Sequence, residues 1–307
     1  MTHDHAGHSH TAGITDEGRL LRALCLLVGL MIGEIVAGIL ANSLALLSDS
    51  AHMLTDAAAI GFSLVALRLA SRPAGGSMTF GFKRMEILSA QANGVTLLVL
   101  AAFIVYEAIH RLIEPPHVRA GLVLVVAIIG ALVNLAAAMT LAGAERRSLN
   151  IEGSLRHVVT DLYGFIGTAV AAGVILLTGF EQADPIVSLL IAGLMIRSGY
   201  ALVKASARVF LEAAPVDLDP DAIGRSLVEE PGVIEVHDLH VWEVTSGFPA
   251  LSAHILVSAQ CDCHRARRAM ESMLHERFGL DHTTLQVDHV GGDLLEIESP
   301  AAAGPAG

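Results

Sequence analysis

Six stretches of about twenty mostly apolar residues run along the 307-residue chain, at roughly Leu20–Leu40, Leu44–Leu69, Ile87–Ile113, Ala120–Ala142, Leu155–Leu177 and Ile186–Val203. A helix rises about 1.5 Å per residue, so about 20 such residues cross a bilayer core of about 30 Å. Inside that core the backbone finds no water to hydrogen-bond, and a lone apolar segment can run there only as a helix. The sequence therefore predicts a multi-pass α-helical membrane protein with six transmembrane helices. Composition agrees: 53% of residues are hydrophobic and 16% charged, against about 25% charged in soluble domains.

The chain starts MTHDHAGHSHTAGITDEG, acidic and rich in histidine where a cleavable signal would be basic. The first apolar helix is accordingly expected to remain in the membrane. Arg19, Arg22, Arg68, Arg72, Lys83, Arg84, Arg146, Arg147, Lys204 and Arg208 fall on one side of the spans, with Arg111 and Arg119 on the other. By the positive-inside rule both termini face the cytosol. Against 19 Lys and Arg stand 31 Asp and Glu, a net charge of −12, which argues against nucleic acid as a partner because phosphate binding needs a basic face. Three cysteines without scaffold spacing point to reduced thiols.

After Leu211 the chain turns polar. DPDAIGRSLVEE reads as a helix, EVHDLHVWEVT and ALSAHILVS as strands, CHRARRAMESMLHERFG as a helix and TTLQVDHV as a last strand. That α-β-β-α-β order predicts a small α+β domain. The expected organisation is a His-rich disordered tail over 1–18, a transmembrane domain over 19–208, a cytosolic domain over 209–293 and a disordered tail over 294–307.

The second apolar segment contains HMLTD and the fifth HVVTD. Residues i and i+4 share a helix face, so His52 pairs with Asp56 and His157 with Asp161. An ionised aspartate at mid-bilayer costs about 3 kcal/mol on insertion scales, and two in separate spans call for a compensating cation. Two imidazole nitrogens and two carboxylate oxygens suit tetrahedral Zn²⁺, whereas Mg²⁺ and Mn²⁺ lean toward oxygen alone. Ligands must lose their protons to bind metal, and histidine titrates near pH ~6.5, so protons compete with the cation for the site. Histidines hydrogen-bonded to neighbouring helices and aspartates paired with arginines would explain one such pair; two matched pairs favour a metal.

With these residues in view the chain resembles the cation diffusion facilitator family, in its zinc-exporting bacterial branch. The likeness covers nearly the whole chain: the His-rich start, NSLALLSDSAHMLTDAAAI, TFGFKRMEILSAQANG, HVVTDLYG, DPIVSLLIAGLMI and VHDLHVWEVT. It implies a homodimer in the inner (plasma) membrane with a ferredoxin-like cytosolic domain, proton-coupled efflux of Zn²⁺, and a transport site of His52, Asp56, His157 and Asp161. Cd²⁺ or Co²⁺ would be further substrates. Histidine at the first motif position goes with zinc preference in that family. His237, His254, His264 and Asp288 match cytosolic positions that hold regulatory metal in relatives, although Gln286 replaces a further histidine of that pattern and Phe82 replaces a loop histidine.

Other polar residues have plainer readings. His3, His5, His8 and His10 suit a metal-loading arm or an inert terminus equally. Cys261, Cys263 and His264 lack the spacing of a standard zinc knuckle, and Cys25 reads as a packing residue. Glu34, Glu107 and Asn134 lie in apolar segments and either face the bundle interior or bond between helices. Asp49 is expected outside the ligand shell, and His240 and Trp242 opposite His237 by period two. No His-Glu-x-x-His motif is present, so an intramembrane metalloprotease is disfavoured and the protein is not expected to be an enzyme. The remaining rival is a membrane-anchored metal sensor that binds without transport.

Overall fold

The computed structural model of the chain describes residues 28–142 and 149–290, with the side chains of 60, 63, 64, 67, 137, 138, 140–142 and 149–160 outside that description. The chain divides into two compact units at 64/65, 88/89 and 203/204. Six helices account for the apolar segments: α1 (Val28–Ala41), α2 (Leu44–Ala70), α3 (Met85–Ile113), α4 (Ala120–Ala142), α5 (Leu149–Thr178) and α6 (Ala183–Phe210). Among the described residues three helical stretches, Met85–Ile113, Asp161–Thr178 and Ala183–Phe210, are long and apolar enough to cross a membrane by length and composition, and Val28–Ala41 and Ala120–Ala136 are shorter apolar ones. In α2 the polar run Ser48, Asp49, Ser50, His52, Thr55 and Asp56 dilutes the hydropathy.

Outward faces of the bundle are apolar. Val99, Phe103, Leu132, Val170 and Leu190 are each at least 60% exposed, a surface that suits lipid and would be an aggregation liability in water. Inside, small residues set the helix spacing. A Cβ on Gly38 of α1 would lie 2.9 Å from the Leu47 side chain of α2, and one on Gly130 of α4 would lie 2.2 Å from the Phe165 ring of α5. Gly94 of α3 and Gly199 of α6 meet backbone to backbone, each leaving 3.0 Å or less between a Cβ there and the other's carbonyl oxygen. Without a hydrophobic drive between helices in lipid, such close backbone approach is what supplies packing.

The second unit contains the predicted α-β-β-α-β order: α7 (Pro220–Val228), β1 (Val233–Thr245), β2 (Phe248–Val257), α8 (Cys263–Phe278) and β3 (His282–His289). β2 is central, antiparallel to β1 and parallel to β3. Asp219 caps α7 ahead of Pro220, and Asp262 caps α8 by accepting from the His264 and Arg265 amides, while Gly279 ends α8 in the left-handed region at φ 66°. The side chains of Ile223, Leu227, Leu251, Ile255, Met270, Leu274 and Leu280 close a core between helices and sheet.

β1 is not a regular strand. Its pairing passes from His237 opposite His254 to His240 opposite Ser252, so three steps on β1 meet two on β2, and Asp238 takes a φ of 50°. This bulge reverses the alternation. His237 and His240 therefore share a face with His254 and Ser252, which corrects the period-two expectation that set them on opposite faces.

Candidate metal centre

His52 and Asp56 stand together on α2, Nε2 to Oδ2 3.6 Å apart, with side chains 15% and 23% exposed. Asp161 on α5 is 4% exposed. The side chain of His157 lies outside the described residues; its backbone lies in α5, one turn before Asp161. The two helices touch where the Asp49 carboxylate meets Gly164, Oδ1 lying 2.9 Å from where a Cβ would stand. Three chain reversals separate α2 from α5, so they run antiparallel. Counting along them from that contact, residue 52 comes level with 161 and residue 56 with 157. The pairs singled out in the sequence thus occupy one layer of the bundle, with the apolar side chains of Leu30, Met31, Met53 and Phe165 packed together beside it.

The same counting brings further polar groups to this layer. From the Gly38–Leu47 contact, Glu34 of α1 comes level with residue 51, and from the Gly130–Phe165 contact Asn134 of α4 comes level with 161. Glu34 and Asn134 are fully buried, and Asp49 is 4% exposed. Glu34, Asp49 and Asp161 thus bring three buried carboxylates to neighbouring levels of the bundle. Asp49, expected outside the ligand shell, lies against Gly164 of α5 about one turn before His52. Its signal was in the sequence: it precedes His52 by three residues, a spacing that shares a face. Glu107 does otherwise, pairing with Arg111 of its own helix at 2.8 Å.

On the cytosolic sheet the bulge gathers a second group. His237, Asp238 and His254 present ligand atoms within 4.8 Å of one another; the two imidazoles meet edge to face with centroids 5.4 Å apart, and His254 Nδ1 lies 3.5 Å from Asp238 Oδ2. His254 also pairs with Gln286 of β3 in register. The Gln286 amide donates to Asp288 Oδ2 at 2.8 Å, so Asp288 is engaged one step along the same face. His264 stands on the first turn of α8, outside this group. Asp238 escaped the sequence reading because only the left-handed kink brings it to the histidines. The N-terminal histidines and Cys25 lie outside the described residues.

Two family models cover almost all of the chain: the cation efflux transmembrane domain over residues 20–211, and the cytoplasmic domain of cation efflux proteins over 215–290. The chain belongs to the cation diffusion facilitator family. It is 39% identical over 286 residues to the cadmium, cobalt and zinc/H(+)-K(+) antiporter of Bacillus subtilis, with 92% of each chain covered. It is 36% identical to the metal cation efflux system protein CzcD of Cupriavidus metallidurans, covering 98% of this chain and 96% of that one. It is 38% identical to the zinc transporter ZitB of Escherichia coli, covering 92% of both. A solved structure of the metal-bound C-terminal domain of the CzcD transporter matches 23% of this chain at 28% identity, with a TM-score of 0.22. The protein is thus a membrane transporter for efflux of metal cations and not an enzyme, with a dimerisation-type domain at its C-terminal end.

Proposed function

We propose that this transporter carries Zn²⁺ out of the cytosol in exchange for protons, with His52, Asp56, His157 and Asp161 as the transport site. The observation that supports this best is the shared layer of the two His-x-x-x-Asp pairs, fixed by the Asp49–Gly164 contact. Two nitrogens and two carboxylate oxygens satisfy a four-coordinate Zn²⁺, and the ion's two charges offset two aspartates in a low-dielectric interior. Protons entering from the far side compete for the same lone pairs and release the metal. Alternating access of the six-helix bundle over 19–208 then converts a proton gradient into metal export. The Bacillus subtilis relative, named as an antiporter for cadmium, cobalt and zinc, extends the proposed substrates to Cd²⁺ and Co²⁺.

In this reading the protein is a homodimer of the inner membrane with both termini in the cytosol, joined through the domain over 209–293. The group His237, Asp238 and His254 gives that domain a metal-responsive face, with Asp288 beside it. A sensor that binds zinc without moving it would use the same face. Sealed proteoliposomes separate the two: with an imposed pH gradient, Zn²⁺ should cross the membrane and protons should cross in the opposite direction. Zinc binding without flux would sink the exporter reading and leave the sensor.

A further inference from the structure

α2 begins in the interior of the bundle, and its first two amide donors, Leu44 and Ala45, are satisfied from another helix. Ser43, Leu44, Ala45 and Leu46 are all at most 4% exposed. The Leu44 amide donates to Asp184 Oδ2 at 2.7 Å, and the Ala45 amide donates to both oxygens of that carboxylate at 3.4 and 3.3 Å. The Ser43 hydroxyl donates to Asp184 Oδ1 at 2.5 Å and accepts from the Leu46 amide at 3.3 Å. Away from water, each such donor left unsatisfied would be costly. Asp184 is 1% exposed and lies in the first turn of α6, so one carboxylate sits at the positive ends of two helix dipoles.

The start of α6 is a firm anchor. Leu97, Ala101 and Ile104 of α3 pack on Ile191, Ala192 and Met195 of α6, above the Gly94–Gly199 backbone contact. Beside Asp184, Ala183 packs with Ala171, Ala172 and Ile175 at the outer end of α5. α3 also reaches this joint, because Arg111 donates to the Asn42 carbonyl at 2.9 Å in the turn before α2. His52 lies eight residues beyond Leu44, about 12 Å along a helix that transmits axial shifts as a rod.

We propose that Asp184 is a positioning residue for the intramembrane metal site: it hangs α2 from α6 beside the end of α5, and so sets the height of His52 and Asp56 against Asp161. This rests on the reading of those residues as metal ligands. It also gives a role to the DPIVSLL segment beyond spanning the membrane. Nothing about the Asp184 carboxylate requires it to touch the cation.

The test uses the full-length protein in detergent with Co²⁺ as the probe, recording visible absorption as a difference against the His52→Ala variant. Asp184→Asn retains size but loses the charge, and is expected to weaken Co²⁺ binding at this site about tenfold, the scale of lost orienting partners, and to shift its absorption bands. Ser43→Ala is expected to cause a loss of about threefold in the same direction, and Asp184→Asn combined with Ser43→Ala to be no worse than Asp184→Asn alone, because the two act through one joint. Ser188→Ala removes a neighbouring hydroxyl on α6 that donates to the Asp184 backbone carbonyl and not to its carboxylate, and should leave both readouts unchanged. A wild-type spectrum and affinity in Asp184→Asn overturn the proposal, whatever happens to flux. If Asp184→Asn does not fold, Ser43→Ala decides alone, and wild-type behaviour there overturns it. If the wild-type protein shows no His52-dependent spectrum, the failure lies in the metal-site reading itself.

Discussion

Two parts of this molecule hold histidine beside aspartate, in opposite surroundings. On α2 and α5 the acids lie among apolar helices, with Asp161 4% exposed. On the cytosolic sheet the side chains of His254 and Asp238 are 48% and 66% exposed. The same residue types therefore carry different obligations. An ionised carboxylate in the bilayer is costly without a cation or a set of hydrogen-bond donors, so in the proposed reading metal and proton share the site between them. A carboxylate in water is already solvated, and metal bound there adds to a domain that folds on its own core. In the proposed reading, transport belongs to the first environment and response to metal level to the second.

The largest expected effect tests the buried side of that contrast. Asp161→Ala should abolish zinc flux in proteoliposomes while membrane insertion and dimer size stay normal; undiminished flux would remove Asp161 from the site. Next in size, His52→Asp exchanges a nitrogen ligand for oxygen and should shift preference from Zn²⁺ toward Cd²⁺ or Mn²⁺ by about tenfold, or ~1.4 kcal/mol. Competition assays with the metals mixed would measure it, and an unaltered ratio would place selectivity elsewhere.

The exposed side should respond more weakly. His237→Ala combined with His254→Ala is expected to remove metal binding from the sheet face by calorimetry while leaving maximal flux within about fivefold, the scale of a modest allosteric coupling. Loss of all flux would erase the distinction between the two sites. The smallest effect concerns Asp262, whose carboxyl is held below the usual carboxylate range by the backbone amide of Arg265, then that of His264, with the charges of His264 and Arg268 adding to them. A depressed folded-state value stabilises the domain above the ordinary carboxylate titration and is lost as pH falls through the folded value. Asp262→Asn should therefore lower the melting temperature of the cytosolic unit by a small, constant amount above about pH 4, with the deficit shrinking below it. A deficit that grew on acidification would contradict the capping role.

Much of this arrangement was legible in the amino-acid order because apolar length and helical spacing are local properties. The ends of α3 and α4 and the i,i+4 pairing of His52 with Asp56 follow from them directly, as does the α-β-β-α-β order after α6. What escaped depended on contacts distant in sequence or on one dihedral angle. Asp184 reads as an ordinary first-turn acid of α6 until the amides of α2, about 140 residues earlier, are seen to end on it. Asp238 joins His237 and His254 only because one residue enters the left-handed region, and strict alternation cannot foresee such a bulge. The face that Asp49 shares with His52 was readable from their spacing of three, though comparison with its immediate neighbours hid it.

Crystals of the full-length protein soaked in zinc, with anomalous scattering collected at the zinc edge, give the most direct test of the central claim. The expected result is one ion between α2 and α5, bonded to His52, Asp56, His157 and Asp161 at about 2.0–2.2 Å. Zinc confined to the cytosolic face, with the two intramembrane pairs too far apart to reach a common ion, would contradict it.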